Sequence, residues 1–295
     1  MSALWPAVAR LISSELGLTV TLDERLGRQR QERATWLADA GPAGQVIIKA
    51  RAAGDRPDEK TAWAAAVLPV LAARGYPVPK ILWHGPLDHE WHLVVLQRLP
   101  GRPAELLTDE FLALVLDLVE LQADAGIEPG VRDMAAYHAY VVFDGWDYFR
   151  RDAEAAAPAL VGRLDRFLQP VWGGRLEACD FAHGDLNLTN VLTDGRTITG
   201  VVDWDEIGLN SRAADLTSIL FDWHALALRG TLGLALRGSA VLSDRIVGIA
   251  GEDGLRCTIG YAALGRLGMT YRRRQREALA VWMRVTEAIL AELAS

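Results

Sequence analysis

Between Phe181 and Gly208 the chain reads FAHGDLNLTNVLTDGRTITGVVDWDEIG, and oxygen-bearing side chains recur there at fixed spacings. His183-Gly184-Asp185 stands five residues ahead of Asn190, counted from Asp185. Apolar pairs Val191-Leu192 and Val201-Val202 flank the turn Asp194-Gly195, which is a strand-turn-strand pattern, and Asp203-Trp204-Asp205 follows it. Such a hairpin carries an acid and an amide at one end back toward a second acid at the other. The polar groups emerge from apolar strands, so they belong at strand ends beside a core. Hard oxygen donors brought together in this way suit Mg²⁺, which keeps waters and phosphate oxygens in the rest of its shell. Asp and Asn are also common in turns, so an H-G-D triplet alone says little. The joint pattern of triplet, offset Asn, hairpin and terminal acid is far rarer by chance.

The elements around this stretch fall into two kinds. Residues 3–16 read as a short amphipathic helix. From Thr19 to Lys49, β-branched and aromatic residues alternate with polar ones, punctuated by Gly27, Asp39, Gly41 and Gly44, which predicts two or three antiparallel strands. Gln45-Val46-Ile47-Ile48-Lys49 is the clearest of them. Residues 58–74 predict a helix in spite of Pro69, ending at Gly75. Tyr76-Pro77-Val78-Pro79 is an extended connector, because a residue before proline is pushed out of the helical region. Strands follow around 80–83 and 91–97. Beyond Leu99-Pro100-Gly101, residues 108–125 and most of 132–295 carry helical periodicity, with 190–203 as the exception. The expected class is α+β, with a small antiparallel-sheet lobe over 1–98 and a larger, mainly helical lobe over 99–295.

Composition narrows the functional classes. The chain has 295 residues, with 31 Lys+Arg against 38 Asp+Glu, so 31 − 38 gives −7. Only Lys49, Lys60 and Lys80 are lysines; the other 28 basic residues are arginines. With 51% hydrophobic and 23% charged residues the chain is globular. No apolar run approaches the ~18 residues a membrane span needs. The N-terminus has no basic segment followed by an apolar core, so a secretion signal is not expected. Cys179 and Cys257 make neither a disulfide framework nor a zinc site, which implies a reducing cytoplasm. The acidic balance argues against nucleic acid and is compatible with a cationic ligand. Arg272–Arg274 with Arg276 reads as a solvated helix face. His84, His89 and His92 straddle a turn and read as a solvated hairpin rather than a metal cluster.

His183-Gly184-Asp185-Leu186 through Asn190, then Val201-Val202-Asp203-Trp204, resembles the catalytic core of the aminoglycoside phosphotransferase family. These are small-molecule kinases with a protein-kinase-like, bilobal fold. The resemblance implies ATP or GTP between the lobes, Mg²⁺ on Asn190 and Asp203, and Asp185 as the catalytic aspartate beside the acceptor hydroxyl. His183 would brace the loop. Asp215 resembles the family's structural helix-start aspartate. Val46-Ile47-Ile48-Lys49 matches the strand whose lysine contacts phosphates and pairs with a glutamate on the next helix. Glu59 is the expected partner and Asp58 the alternative. Leu96-Gln97-Arg98-Leu99-Pro100-Gly101 resembles the inter-lobe hinge, where backbone groups of Gln97 and Leu99 would meet the purine. The kinase Gly-rich loop has no match in Leu26–Arg33.

The acceptor is less marked. Asp205 faces either the substrate or metal, or only the solvent. Glu206 and Asp222 are candidates for an acceptor pocket, as is Trp223. In Phe143-Asp144-Gly145-Trp146-Asp147-Tyr148-Phe149, Asp144 and Asp147 alternate with aromatic residues. Such a strip suits a cation, although it reads more simply as a helix start with capping aspartates. The resemblance implies Mg²⁺-dependent phosphorylation of a cationic small molecule. An antibiotic leads, either an aminoglycoside or a basic peptide of the viomycin and capreomycin type. A metabolic kinase for an amino alcohol, homoserine or a sugar comes second. A nucleotide-binding pseudokinase is opposed by the intact set Lys49, Asp185, Asn190 and Asp203.

Overall fold

Alternation of buried and exposed side chains sets the first sheet. The computed structural model describes residues 4–30, 33–53, 57–125, 131–144, 147–174, 176–230 and 237–294. Helix α1 (Trp5–Leu16) leads into strands β1 (Thr21–Arg30), β2 (Arg33–Asp39) and β3 (Gln45–Ala52). Helix α2 (Pro57–Ala73) and strands β4 (Ile81–Pro86) and β5 (Trp91–Gln97) follow. The strands form one antiparallel sheet in the order β1-β2-β3-β5-β4. Val46, Ile48 and Ala50 of β3 point into a small core with Trp36, Leu93 and Val95, which α1 closes with Val8 and Ile12. The intervening residues Ile47, Lys49 and Arg51 therefore face the other way.

The remainder is mainly helical. Strand β6 (Arg102–Pro103) precedes α3 (Asp109–Glu120), α4 (Met134–Ala139), a π-helical turn (Tyr140–Asp144), α5 (Tyr148–Ala156) and α6 (Pro158–Leu168). Strands β7 (Asp180–Ala182), β8 (Val191–Thr193), β9 (Ile198–Val201) and β10 (Gly208–Asn210) come next. Helices α7 (Ala213–Leu228), α8 (Gly238–Arg272) and α9 (Arg276–Glu292) complete the chain. Thr108 starts α3 by accepting a hydrogen bond from the Phe111 N–H. Helix α8 is bent at Gly251, whose φ of 69° breaks the helical run. Leu216, Ile219, Phe221, Ile259, Leu264 and Ile289 of the last three helices fill the centre of the larger core. No helix among the described residues is long and apolar enough to cross a membrane.

The architecture is the expected α+β arrangement of a small antiparallel sheet and a larger helical part. Two details differ from the sequence expectation. The β8–β9 hairpin gains β6 as a third strand, and β7 pairs antiparallel with β10. Packing also does not divide the chain at residue 98. Ala64, Val67, Leu68 and Leu71 of α2, with Tyr76 just beyond it, are buried in the larger core. The physical reason is the one-sided packing of α2. Its outer face carries exposed Ala62, Ala66 and Pro69, while Ala64, Val67, Leu68 and Leu71 are buried.

Candidate functional site

Short pairings place the Asp185 loop. Strand β7 runs into His183-Gly184-Asp185, and the register Ala182↔Gly208 brings residues 204–206 beside it. Gly184 has φ +80°, and a Cβ there would lie 2.2 Å from the Glu206 carbonyl oxygen, so only glycine permits the contact. The His183 Nε2–H donates to the Val202 carbonyl at 3.0 Å, and Nδ1 accepts from the Asp185 N–H at 3.2 Å. Behind the loop, buried Asp215 in the first turn of α7 accepts from the His183 N–H (2.7 Å), the Gly184 N–H (3.0 Å) and Gln122 Nε2 (2.9 Å). Burial still pushes its pKa up. Asp222 accepts from the Leu188 N–H at 2.8 Å. Asn190 Nδ2 donates to the Asp185 carbonyl at 2.9 Å, which turns its amide oxygen away from that bond. Burial also raises the pKa of Asp185, opposed by His183 and Arg266.

Asp203 follows β9 in a left-handed conformation, φ 71° and ψ 55°, which strains a non-glycine residue by about 1–2 kcal/mol. The neighbouring Trp204 holds the turn down. Its Nε1 donates to the Val201 carbonyl at 2.9 Å, and its ring packs on Tyr76 and His183 with centroids 5.5 and 4.5 Å away.

Cations from the N-terminal part meet the acids of this turn. Lys49 Nζ lies 2.6 Å from Asp203 Oδ1. Arg51, two residues further along β3 on the same face, forms a bidentate pair with Asp205. Arg33 reaches Asp205 at 3.5 Å. Glu206 lies 3.5 Å from Lys60 of α2 and 3.1 Å from Arg132. The Lys49 ammonium holds the Asp203 carboxyl well below the usual carboxylate range. Burial lowers the pKa of Lys49 itself, although Asp203 opposes this. The turn borders a cleft of about 1200 Å³, lined by Glu59, Lys60, Asp185, Asp203 and Asp222 among others. Tyr137, Tyr148, Tyr261 and Trp282 line it too.

The structure thus brings Lys49 and Asp203 into contact and sets Asn190 against the Asp185 loop. Glu59 lines the cleft from the first turn of α2, but the carboxylate bonded to Lys49 is that of Asp203. Asp58, the alternative partner, contacts the His92 ring. His92 is consequently buried rather than solvated, and burial lowers its pKa; His89 is exposed. Asp205 is turned to Arg51 and Arg33, not to solvent. Asp222 both lines the cleft and holds Leu188. Asp144 and Asp147 are absent from the cleft lining. Asp147 is buried as the cap of α5, accepting from the Phe149 N–H at 2.7 Å, and Asp144 is exposed. Gly145 and Trp146 lie outside the described residues, as do Gln31 and Glu32 where a Gly-rich loop would fall. The Gln97 N–H donates to the Lys80 carbonyl at 2.9 Å, and the Leu99 side chain lies close over Gly200.

Several residues of the site carried no motif. Arg51 had one usable signal, its two-residue offset from Lys49 on a strand. Arg266 of α8 had none. Its guanidinium lies 4.8 Å from the Phe221 ring centroid and 5.2 Å from that of Trp282, and it donates to Ser218 Oγ at 2.7 Å.

A small sheet and a larger helical part, with a sheet lysine bonded to an acid beyond a hairpin, make a protein-kinase-like arrangement. A model of the phosphotransferase enzyme family matches residues 25–241, and the chain belongs to that family, whose members move a phosphoryl group onto an alcohol. The fold is similar to a thermostable mutant of aminoglycoside phosphotransferase APH(4)-Ia in apo form, at 17% identity, covering 97% of this chain and 99% of that one, with TM-score 0.71. It is also similar to APH(2")-IIIa in complex with GDP and kanamycin, at 14% identity, 98% and 99% coverage and TM-score 0.64. The macrolide 2'-phosphotransferase MphH from Brachybacterium faecium gives 19% identity, 96% and 98% coverage and TM-score 0.57. At these identities the likeness carries the fold alone. No curated protein matches the chain in sequence.

Proposed function

We propose that the protein transfers the γ-phosphate of ATP or GTP to a hydroxyl of a cationic small molecule, an antibiotic of the aminoglycoside or basic-peptide kind, with Mg²⁺ at Asn190 and Asp203. The observation that carries this reading is the 2.6 Å contact of Lys49 Nζ with Asp203 Oδ1 at the edge of a cleft that also holds Asp185. Two of the similar structures support the substrate pairing, being complexes with ADP and hygromycin B and with GDP and kanamycin.

The nucleotide lies between residues 1–98 and 99–295, with backbone groups of Gln97 and Leu99 against its purine. Lys49, next to Asp203 and with Glu59 lining the same cleft, contacts the phosphates. Asn190 and Asp203 fit Mg²⁺ because both offer hard oxygens. The Asp203 side chain is 46% exposed, and the Nδ2 bond of Asn190 fixes which way its amide oxygen points. Held there, the ion would supply charge neutralisation at the phosphate oxygens. Asp185 orients the acceptor hydroxyl and takes its proton as the new P–O bond forms. The bond to the leaving oxygen breaks, and its electron pair stays on the β-phosphate. His183 braces the loop, since its Nδ1 is occupied by the Asp185 N–H. Alignment and charge neutralisation supply most of the rate gain. Asp222, which lines the cleft, faces the acceptor beside aromatic faces suited to a cation, while the Glu206 carboxylate is paired with Lys60 and Arg132.

The test is consumption of ATP and GTP with and without a panel of hygromycin B, kanamycin, capreomycin, a macrolide, choline and a hexose. Acceptor-dependent turnover is expected with one of the antibiotics. Asp185→Ala and Asp203→Ala each remove nearly all of it while the thermal midpoint is kept. Near-full turnover in either variant would sink the assignment. Acceptor-dependent turnover only with choline or the hexose would make it a metabolic kinase.

A further inference from the structure

The turn Asp203-Trp204-Asp205-Glu206 carries three carboxylates, and each meets cations of the N-terminal part, Arg51 lying 3.9 Å from Asp203 as well as paired with Asp205. Asp203 meets Lys49, Asp205 meets Arg51 and Arg33, and Glu206 meets Lys60. These contacts differ in burial. The Asp203 side chain is 46% exposed, whereas those of Arg51 and Asp205 are 7% and 16% exposed. The most buried pair is also the bidentate one, a planar fork matched to a carboxylate. Its placement follows from the strand. Arg51 stands two residues past Lys49, so the period of two sends both side chains to one side. Asp205 stands two residues past Asp203 across the gap. Two ion pairs therefore run side by side between β3 and the turn. The turn in its turn abuts the Asp185 loop, because the Gly184 backbone lies against the Glu206 carbonyl with no room for a Cβ.

We infer that Arg51, acting through Asp205, is a positioning residue for phosphoryl transfer. It fixes the strand that bears Lys49 against the turn that bears Asp203 and touches the Asp185 loop. The inference rests on the transfer reading above. In that reading Lys49 serves the phosphates and Asp203 serves the metal, so their mutual bond does not hold the two elements in register during turnover. Arg51 also lies 3.9 Å from Asp203, but its bidentate partner is Asp205, and that pair does not depend on the Lys49–Asp203 bond. Neither touches the reacting atoms, so the contribution is alignment, and a misplacement of 1 Å slows transfer about a hundredfold.

The experiment compares Arg51→Gln, Asp205→Asn and the double variant, measuring steady-state hydrolysis of Mg-ATP to water and transfer to the antibiotic that supports turnover. Each single variant lowers kcat about a hundredfold while KM for Mg-ATP moves less than about threefold. The double variant loses no more than the worse single, because both changes remove one contact. Near-wild-type kcat in either single variant, a loss confined to KM, or a double loss equal to the product of the singles would each overturn the inference. If a single variant strands a buried charge and fails to fold, the double, which removes both charges, decides alone. A kcat about a hundredfold down upholds the role and an unchanged one overturns it. Failure of the transfer reading looks different, because Asp185→Ala would then turn over as the wild type does.

Discussion

Asp215→Ala tests whether the Asp185 loop is held from behind. The carboxylate accepts from two backbone N–H groups, at 2.7 and 3.0 Å, and from Gln122 Nε2 at 2.9 Å, all in buried surroundings. Truncation strands these donors at about 1–3 kcal/mol each. Gln122 keeps a second contact to Tyr76 Oη at 3.3 Å, so its share is small. The ionised carboxylate is itself disfavoured by burial, which offsets part of the loss. Counting the two backbone donors at about 1.5–2 kcal/mol each gives a destabilisation of about 3–4 kcal/mol. At about 2–4 °C per kcal/mol, the thermal midpoint falls by roughly 6–16 °C. Circular dichroism melts at pH 7 read the shift directly. Below the melting range kcat falls as well, since His183 and Gly184 lose the anchor that sets Asp185. A midpoint within about 2 °C of wild type would refute the bracing role, because the two backbone donors together are worth at least about three times that.

Lys49→Arg retains the charge but replaces a compact ammonium with a broad fork. It should lower kcat/KM for Mg-ATP at least about tenfold more than Lys60→Arg or Lys80→Arg does, and equal behaviour of the three would mean the sheet lysine has no phosphate role. A pH prediction concerns His138, buried and stacked on Tyr261, whose pKa burial pushes down to about 3. The unfolded chain binds a proton below about pH 6.5 that the fold excludes until about pH 3, so stability is unaffected above that window and falls as pH drops through it. The loss at about pH 5 is about 2 kcal/mol. His138→Phe keeps the stacked ring and should reduce the fall of the urea midpoint between about pH 7 and pH 5, leaving the part due to His92 and His224, whose pKa burial also lowers; an unchanged profile counts against the assignment.

The strand that bears Lys49, helix α2 and the β8–β9 hairpin were legible because each is long enough, or its turn distinct enough, to carry a periodic signal. Strands β7 and β10 were not, since a three-residue strand leaves no period to read. Of the residues in the site, Asp185, Asn190 and Asp203 stood out through spacing along the chain. What each acid faces did not. Asp147 is used by its own helix start, Asp205 by Arg51 and Glu206 by Lys60 and Arg132, and such pairings depend on residues brought in from elsewhere in the fold. Arg51 was within reach of sequence reasoning, since the alternation that turns Lys49 out of the small core turns Arg51 out with it.

Helix α2 belongs to the first lobe by position in the chain and to the second by burial. A protein begun at residue 99 would lack Ala64, Val67, Leu68, Leu71 and Tyr76, leaving a trough along the larger core open to water, at roughly 25 cal/mol for each Å² of apolar surface bared. A protein ended at residue 98 would bare the same side chains from the other direction. The two halves are therefore not interchangeable modules. A chimera that borrows a foreign sheet to alter nucleotide preference has to place its seams on either side of α2, because a join at the hinge would part the helix from the core it completes.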